Sequence, residues 1–207
     1  MSALGLSREY SVGAPLCHEG DLANNVFILL AGWVKILATT RDGHEIVLAL
    51  RGNGDIVGEV GGETGHRNAT IRAIGKVRAL IVQYDKFRSF LDSNLGAGHA
   101  YRRVVTHRWS DTDAILRIRA VTTGGQRLAA LLLDLAERHG DLVNGVIDLA
   151  MPLSQEELAS LAGTSRATVT RAFDDWRKRG LIRTRQHRIT ILDPQGLRRV
   201  AGPAVLA

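Results

Sequence analysis

The stretch GEVGGETGHRNATI, residues 58–71, places a glutamate and an arginine eight residues apart among glycines. A guanidinium can bind an anion through two parallel hydrogen bonds, and a carboxylate accepts hydrogen bonds from hydroxyl groups. Glu59 and Arg67 could therefore hold a small anion that carries hydroxyl groups. They could equally form an ion pair on a surface turn. These residues alone leave both interpretations open.

A second set of residues suited to binding lies in LSQEELASLAGTSRATVTRAFDDWRKRGLI, residues 153–182. Ser154 followed by Glu157 is a capping box, which predicts the start of a short helix, and Gly163 ends that helix. Thr164 or Ser165 caps the next helix. Its inward face is predicted to be Val169, Phe173 and Trp176. Two short helices joined by such a turn are typical of a helix-turn-helix.

The outward face near the start of the second helix can reach base edges in the DNA major groove. The candidate residues are Ser165, Arg166, Ala167, Thr168, Thr170 and Arg171. Two short strands, residues 181–184 and 188–192, follow as a predicted β-hairpin wing. Arg183, Arg185 and Arg188 on this wing are predicted to contact phosphates. A helical hairpin with a solvated basic face is the alternative.

Charge favours the nucleic-acid interpretation because it is concentrated in one segment. The chain has 207 residues, a net charge of +6 and an isoelectric point near 10.1. Residues 164–199 hold ten basic residues against three aspartates, a net charge of +7 for that segment. The rest of the chain is close to neutral. A local excess of this kind is the electrostatic footprint of a protein that binds double-stranded DNA.

The elements that must position these residues fall into two parts. Short apolar and β-branched runs separated by glycine turns fill residues 10–84 and predict a small antiparallel barrel or sandwich. Beyond residue 85 the apolar period lengthens to three or four, which predicts a helix over about 97–121. Its single apolar face packs against its own domain or against a second copy of the chain. The glycines after Thr123 break this helix, so we place a boundary between 1–122 and 123–207.

Several other protein classes find no support. No signal peptide and no stretch able to span a bilayer is present, so we expect a cytoplasmic protein without membrane contact. Cys17 is the lone cysteine, which excludes an internal disulfide and an iron–sulfur cluster. The seven histidines lack metal-ligand spacing, and we expect no metal. Phosphate-loop, zinc-protease and serine-hydrolase motifs are missing, so we expect no enzyme.

The order of these parts resembles the CRP/FNR family of bacterial transcription regulators. The resemblance rests on residues 16–61, which are similar to the family's cyclic-nucleotide-binding roll, and on SRATVTR, which is similar to its recognition helix. It implies an α+β fold with an N-terminal antiparallel β-roll of jelly-roll type, a long dimerisation helix and a C-terminal winged helix-turn-helix. The haem of the family's carbon monoxide sensors is not expected, because His66 stands alone on a polar turn.

The resemblance also assigns roles within the opening stretch. Members that bind cyclic AMP carry a phosphate-binding cassette, which Gly58-Glu59 and Arg67-Asn68-Ala69-Thr70 resemble. By this resemblance Arg67 pairs with the cyclic phosphate and Glu59 accepts from the ribose 2′-hydroxyl. Thr112 aligns with the threonine that contacts adenine. Asn68 and Asp113 stand where such members have serine, which leaves the identity of the ligand open.

The function implied is a homodimeric transcription regulator, acting as activator or repressor, that binds an inverted-repeat operator. Cyclic AMP or another cyclic nucleotide is the implied effector, and RNA polymerase is an implied further partner. Ala167 replaces the family's glutamate, which accepts from cytosine, so the operator is expected to depart from the usual family sequence. In the alternative, the roll is a scaffold or interaction module and DNA binding does not depend on a ligand.

Overall fold

A computed structural model describes residues 5–43, 45–106, 108, 123–150, 153–185 and 188–202. The chain divides into two compact units, residues 1–109 and 110–207. The predicted boundary after residue 122 stays a prediction, because residues 109–122 lie outside the described part of the chain.

Two four-stranded antiparallel sheets form the first unit. The strands are β1 (Leu6–Tyr10), β2 (Pro15–Cys17), β3 (Asn25–Ala31), β4 (Val34–Thr39), β5 (Glu45–Arg51), β6 (Ile56–Val57), β7 (Thr70–Ala73) and β8 (Val77–Gln83). One sheet has the order β1-β8-β3-β6 and the other β2-β7-β4-β5. This arrangement confirms the predicted antiparallel roll.

Alternation along the strands builds the core between the two sheets. On β3, Phe27 and Leu29 point into the inter-sheet cluster with Val34 and Ile71 from the other sheet. Val26 points to the opposite face and packs with Phe87. Because β3 is covered on both faces, its sequence is a nearly continuous apolar run.

Three helices complete the first unit: α1 (Glu59–Thr64), α2 (Tyr84–Ser93) and α3, which is helical over residues 95–106 and at 108. Within the region 10–84 that is predicted to form short strands, residues 55–60 form only the two-residue strand β6. Strand β6 ends at Val57 because Gly58 adopts the left-handed conformation, with φ of 81°, and α1 follows at once. Helix α3 begins two residues before the predicted start, and the predicted continuation to 121 lies outside the described residues.

The described residues of the second unit form four helices and one four-stranded sheet. Its elements are α4 (Gly124–His139), β9 (Asp141–Val143), β10 (Val146–Leu149), α5 (Gln155–Leu161), α6 (Arg166–Lys178), β11 (Ile182–Arg185), β12 (Arg188–Ile191) and α7 (Pro194–Ala201). The sheet order is β11-β12-β10-β9. The predicted wing is therefore present as β11 and β12. A second hairpin, β9 and β10, extends the wing and was not predicted from the sequence.

The break predicted at Thr123 to Gly125 falls at the start of α4, where Thr123 has an extended backbone with ψ of 160°. The end of the helix predicted before it lies outside the described residues. Thr123 forms a capping box with Gln126, and Gly124 and Gly125 lie in the first turn. Because the Thr123 side chain accepts from the Gln126 backbone N–H, it satisfies one of the free amides that begin a helix. The segment is a helix start with a fixed cap.

The core of the second unit is closed by apolar faces from each helix. Leu128 and Leu132 of α4, Leu158 of α5 and Leu197 of α7 are almost fully buried. Helix α6 adds its predicted inward face, Val169, Phe173 and Trp176, each at most 4% exposed. The predicted packing of the two helix-turn-helix helices is thus present.

Candidate ligand cavity and DNA-binding surface

A cavity of about 170 Å³ in the first unit is lined by residues from both ends of the stretch 58–71. Gly58 and Glu59 reach it from the start of α1, Arg67 to Ala69 from the segment before β7, and Arg108 from α3. Ile36, Ala49, Arg51, Val57, Val60 and Ile71 complete the wall. The lining includes both apolar and charged side chains, which suits a ligand that has both kinds of surface.

Another cavity, of about 470 Å³, lies beside β8 and is lined by Asn24, Gln83 and Lys86 among others. Its charged lining residue, Lys86, is exposed, whereas Glu59 and Arg67 in the smaller cavity are 7% and 4% exposed. A buried charge must be stabilised by specific partners, while an exposed one is stabilised by water. The smaller cavity is therefore the candidate site.

Arg67 is held by neutral groups. Its Nη1 donates to Gly58 O at 2.7 Å and its Nη2 donates to Asn25 Oδ1 at 2.8 Å. The guanidinium carbon lies 5.2 Å from the centre of the Phe27 ring. Nε is buried without a hydrogen-bond partner, and Arg67 forms no ion pair with any described residue. A buried guanidinium that keeps a donor without an acceptor fits an anionic ligand group.

The backbone around Arg67 is fixed from both sides. Its N–H donates to Asp21 O at 2.8 Å, and its carbonyl accepts from the N–H of Gly20 at 2.8 Å. Gly58 has no room for a side chain, since a Cβ there would lie 2.4 Å from Arg67 Nη1. Glycine is thus required at position 58 for two reasons: the backbone is left-handed there, and the Arg67 guanidinium approaches it closely.

Glu59 has a charged protein partner. Its Oε1 accepts from Arg108 Nη1 at 2.6 Å, and Arg108 Nη2 also donates to Ile56 O at 2.9 Å. Asp55 Oδ1 lies 3.4 Å from the same Nη2. The Glu59 carboxylate retains a second oxygen that can accept a ligand hydroxyl.

The structure brings together the predicted residues Gly58, Glu59, Arg67, Asn68 and Ala69. Thr112 and Asp113 lie outside the described residues, so their predicted contacts remain predictions. Asn25, Arg51 and Arg108 were not predicted from the sequence. For Arg108 a signal existed, because it precedes Thr112 by four positions, which is one turn of a helix.

Cys17 lies in the core cluster that also contains Val57 and Ile71 of the cavity wall. Burial raises the pKa of its thiol above the ordinary value, although the nearby positive charge of Arg67 lowers it in part. A thiol of raised pKa stays protonated at neutral pH and is a poor nucleophile. No group of three or more metal-ligating side chains occurs among the described residues, and no helix among them is long and apolar enough to cross a bilayer.

The helix-turn-helix is capped as the sequence indicates. The Ser154 side chain accepts from the Glu157 N–H while Glu157 accepts from the Ser154 N–H, which is the predicted capping box. Ser165, one of the two predicted caps, begins α6 and accepts from the Thr168 N–H. Gly163 adopts φ of 59° between the helices. These contacts fix the start of the recognition helix, from which DNA contacts are made.

Arg127 ties α4 to the turn between α5 and α6. Its Nε donates to Ala162 O at 2.9 Å and its Nη2 donates to Gly163 O at 2.7 Å. Both carbonyls lie at the end of α5, where a cation is electrostatically favourable. Beside them, a Cβ on Gly124 would lie 2.1 Å from Thr164 Oγ1. The first turn of α4 therefore supports the helix-turn-helix directly.

The predicted DNA-contacting arginines differ in their surroundings. Arg188 pairs with Asp148 on the neighbouring strand. Arg183 and Arg185 are exposed and pair with no described carboxylate. Arg166 and Arg171 are exposed near the start of α6, and Arg171 Nε donates to Ala167 O at 3.3 Å. The arginines without a carboxylate partner are the ones best placed to bind phosphate or base acceptors.

Two family models match the chain in the order of its units. Residues 7–94 match the cyclic nucleotide-binding domain, and residues 126–200 match the Crp-like helix-turn-helix domain. The CRP-like cAMP-activated global transcriptional regulator of Mycobacterium tuberculosis is 32% identical, over 93% of this chain and 87% of its own length. The chain belongs to the CRP/FNR family of transcription regulators.

Two further comparisons also cover most of the chain. The global nitrogen regulator of Synechococcus elongatus is 27% identical, over 91% of this chain and 86% of its own. FixK2 from Bradyrhizobium japonicum has the same fold, with a TM-score of 0.82 and 19% identity over 95% of this chain and 96% of its own. As a CRP/FNR protein, the chain is a DNA-binding regulator with a cyclic-nucleotide-binding roll. The name of the first relative states activation by cAMP, whereas that of the second refers to nitrogen regulation.

Proposed function

We propose that the chain is a homodimeric regulator whose operator binding is controlled by a cyclic nucleotide, with cyclic AMP the first candidate. The observation that carries this proposal is the buried Arg67, whose Nε lacks a partner and whose charge is unmatched by any described carboxylate. A cyclic phosphate is a monoanion whose free oxygens accept hydrogen bonds. It would supply both the negative charge that Arg67 lacks nearby and the acceptor that its Nε lacks. The proposed regulator acts in the cytoplasm, on DNA and with RNA polymerase, without catalysis.

The other cavity residues support distinct parts of such a ligand. Glu59 would accept from a ribose hydroxyl, with Arg108 holding its carboxylate in place. Ile36, Ala49 and Ile71 offer an apolar wall for a base. Thr112 is proposed to contact the purine, and Asp113 could accept from an exocyclic amine. Because Arg108 and Thr112 lie in the sequence that follows the roll, ligand binding could shift the population of dimer arrangements.

The proposal is tested by titration calorimetry with cyclic AMP and cyclic GMP and by operator binding with and without each ligand. Arg67→Leu should abolish ligand binding and the ligand response of operator affinity. Arg78→Leu is the matched control, since Arg78 is an exposed cation on β8 outside the cavity. An Arg67→Leu protein with unchanged ligand affinity and response would contradict the proposal.

The alternative, a roll that serves as a scaffold, draws support from the Glu59–Arg108 ion pair. With Nη1 to Oε1 at 2.6 Å, Glu59 has a strong partner inside the protein and no need of a ligand. This alternative predicts the same operator affinity with and without any cyclic nucleotide. It also predicts that Arg67→Leu lowers stability and leaves the ligand response, already absent, unaltered.

A further inference from the structure

Thr170 lies on the face of α6 that is directed away from the core. Each residue of an α-helix turns by about 100°, so Thr170 lies about 40° around the axis from Arg166 and about 60° from Ala167. Val169, Phe173 and Trp176 occupy the buried side, while Thr170 is exposed. The hydroxyl is therefore placed among the residues expected to contact bases.

The single hydrogen of this hydroxyl is used inside the protein. Thr170 Oγ1 donates to Gln155 Oε1 at 2.7 Å, and the Arg166 carbonyl is a second acceptor at 3.1 Å. A threonine hydroxyl has one hydrogen and two lone pairs. If the Gln155 amide turns and donates instead, the hydrogen passes to Arg166 O, a usual bond for threonine in a helix. In both arrangements Thr170 presents only an acceptor to its surroundings.

An acceptor at this position selects among the groups of DNA. Phosphate oxygens, guanine O6 and N7, and thymine O4 all accept, so none of them can bind a hydroxyl without an available hydrogen. Adenine N6 and cytosine N4 are the donors in the major groove. Ala167, one turn before Arg171, has no acceptor in its side chain. Thr170 can supply one from the same face.

We propose that Thr170, oriented by Gln155 of the preceding helix, accepts a hydrogen bond from the exocyclic amine of an adenine or cytosine in the operator. Gln155 acts as a positioning residue, because its amide oxygen fixes the direction of the Thr170 hydroxyl. The inference concerns the DNA-binding function and is independent of which ligand, if any, occupies the roll.

The test deletes one amine at a time from the operator. After selection of the preferred operator from a randomised pool, each adenine is replaced by purine and each cytosine by 2-pyrimidinone, analogues that lack only the exocyclic amine. We expect one base pair in a half-site where this change weakens binding by about twofold to tenfold, the effect of a single neutral hydrogen bond. Thr170→Val, which removes the hydroxyl at nearly constant shape, should abolish that penalty. Thr170→Ser, which keeps the hydroxyl, should retain it.

Two further comparisons separate base contact from loss of structure. Gln155→Met should reduce the amine penalty at the same base pair without a change in the salt dependence of binding. Urea unfolding should show that Thr170→Val and Thr170→Ser fold alike. The proposal is overturned if wild type and Thr170→Val have the same amine penalties throughout, or if the Thr170-dependent base is guanine or thymine. An unchanged penalty in Gln155→Met overturns the positioning role.

Discussion

Arg67 and Arg108 carry the same group into one cavity, yet their partners differ. Arg108 is neutralised by Glu59, with Asp55 close by. Arg67 is held by a carbonyl and an amide, which fix its position without cancelling its charge. Arg108 therefore fixes the position of the Glu59 carboxylate, whereas Arg67 keeps a positive charge available for a ligand.

The residue that permits this geometry is Gly58. Gly58→Ala would place a Cβ 2.4 Å from Arg67 Nη1 and strain a backbone with φ of 81°. We expect cyclic-nucleotide affinity, measured by calorimetry, to fall by about tenfold or more, the size of one charge-assisted hydrogen bond.

Gly13→Ala is the matched control for that experiment. Gly13 also has a positive φ, 77°, but an added Cβ there meets no atom within 4 Å. Both variants should lose on the order of 1–2 kcal/mol of stability through left-handed strain. Equal ligand affinity in the two variants would show that Gly58 does not position Arg67.

At the scale of elements, the contact between the start of α4 and the helix-turn-helix is the most specific. Gly124→Ala would drive a Cβ to 2.1 Å from Thr164 Oγ1 and 3.2 Å from Thr168 Cγ2. Because Thr164 lies in the turn before α6 and Thr168 in its first turn, we expect overpacking to cost about 1–3 kcal/mol and to lower operator affinity. Thermal unfolding and operator titration measure the two effects.

Gly125→Ala provides the comparison one residue away. No atom lies within 4 Å of a Cβ placed on Gly125. Since alanine favours a helix over glycine, this variant should gain about 0.5–1 kcal/mol and keep its operator affinity. If both alanine variants gained stability, Gly124 would not be a contact point for the recognition helix.

The elements that sequence could predict are those whose signals are local. The Ser154 capping box, the cap at Ser165 and the inward face of α6 each depend on residues within a few positions, and the structure has them all. The contact of Arg108 with Glu59 joins residues 49 positions apart, and that of Arg127 with Gly163 spans 36. Nothing in local spacing encodes such pairs, because they depend on how elements pack. The helix at Glu59–Thr64 was missed since its glycines favour a turn.

At the scale of the whole molecule, the positive charge is distributed less evenly than composition indicates. Several C-terminal cations are paired with carboxylates: Arg177 with Asp174, Arg179 with Asp175, Arg188 with Asp148 and Arg199 with Asp193. Arg183 and Arg185 on β11 have no such partner among the described residues. The positive charge that DNA meets should therefore come from the wing and from Arg166 and Arg171 at the start of α6, more than from the paired arginines.

Salt dependence measures this directly. Replacement of Arg183 or Arg185 by alanine should reduce the slope of log affinity against log salt by about 0.9 for each phosphate that the variant no longer binds, with a similar effect on all sequences. Arg179→Ala is the control, because that side chain is already paired with Asp175 at 3.0 Å. Equal slope changes in all three variants would indicate that net charge alone, and not the wing, determines binding.

The two hydrogen bonds from Arg127 to Ala162 and Gly163 bear on how this DNA-binding module could be transplanted. A fragment that began at Ser154 would include both recognition elements but would leave these carbonyls without their donor. It would also lose Gly124, against which Thr164 packs. The smallest DNA-binding fragment that can be transferred to another protein should therefore begin at Thr123, whose capping box starts the helix that carries Arg127. Fusions to another sensor would best be joined just before that residue.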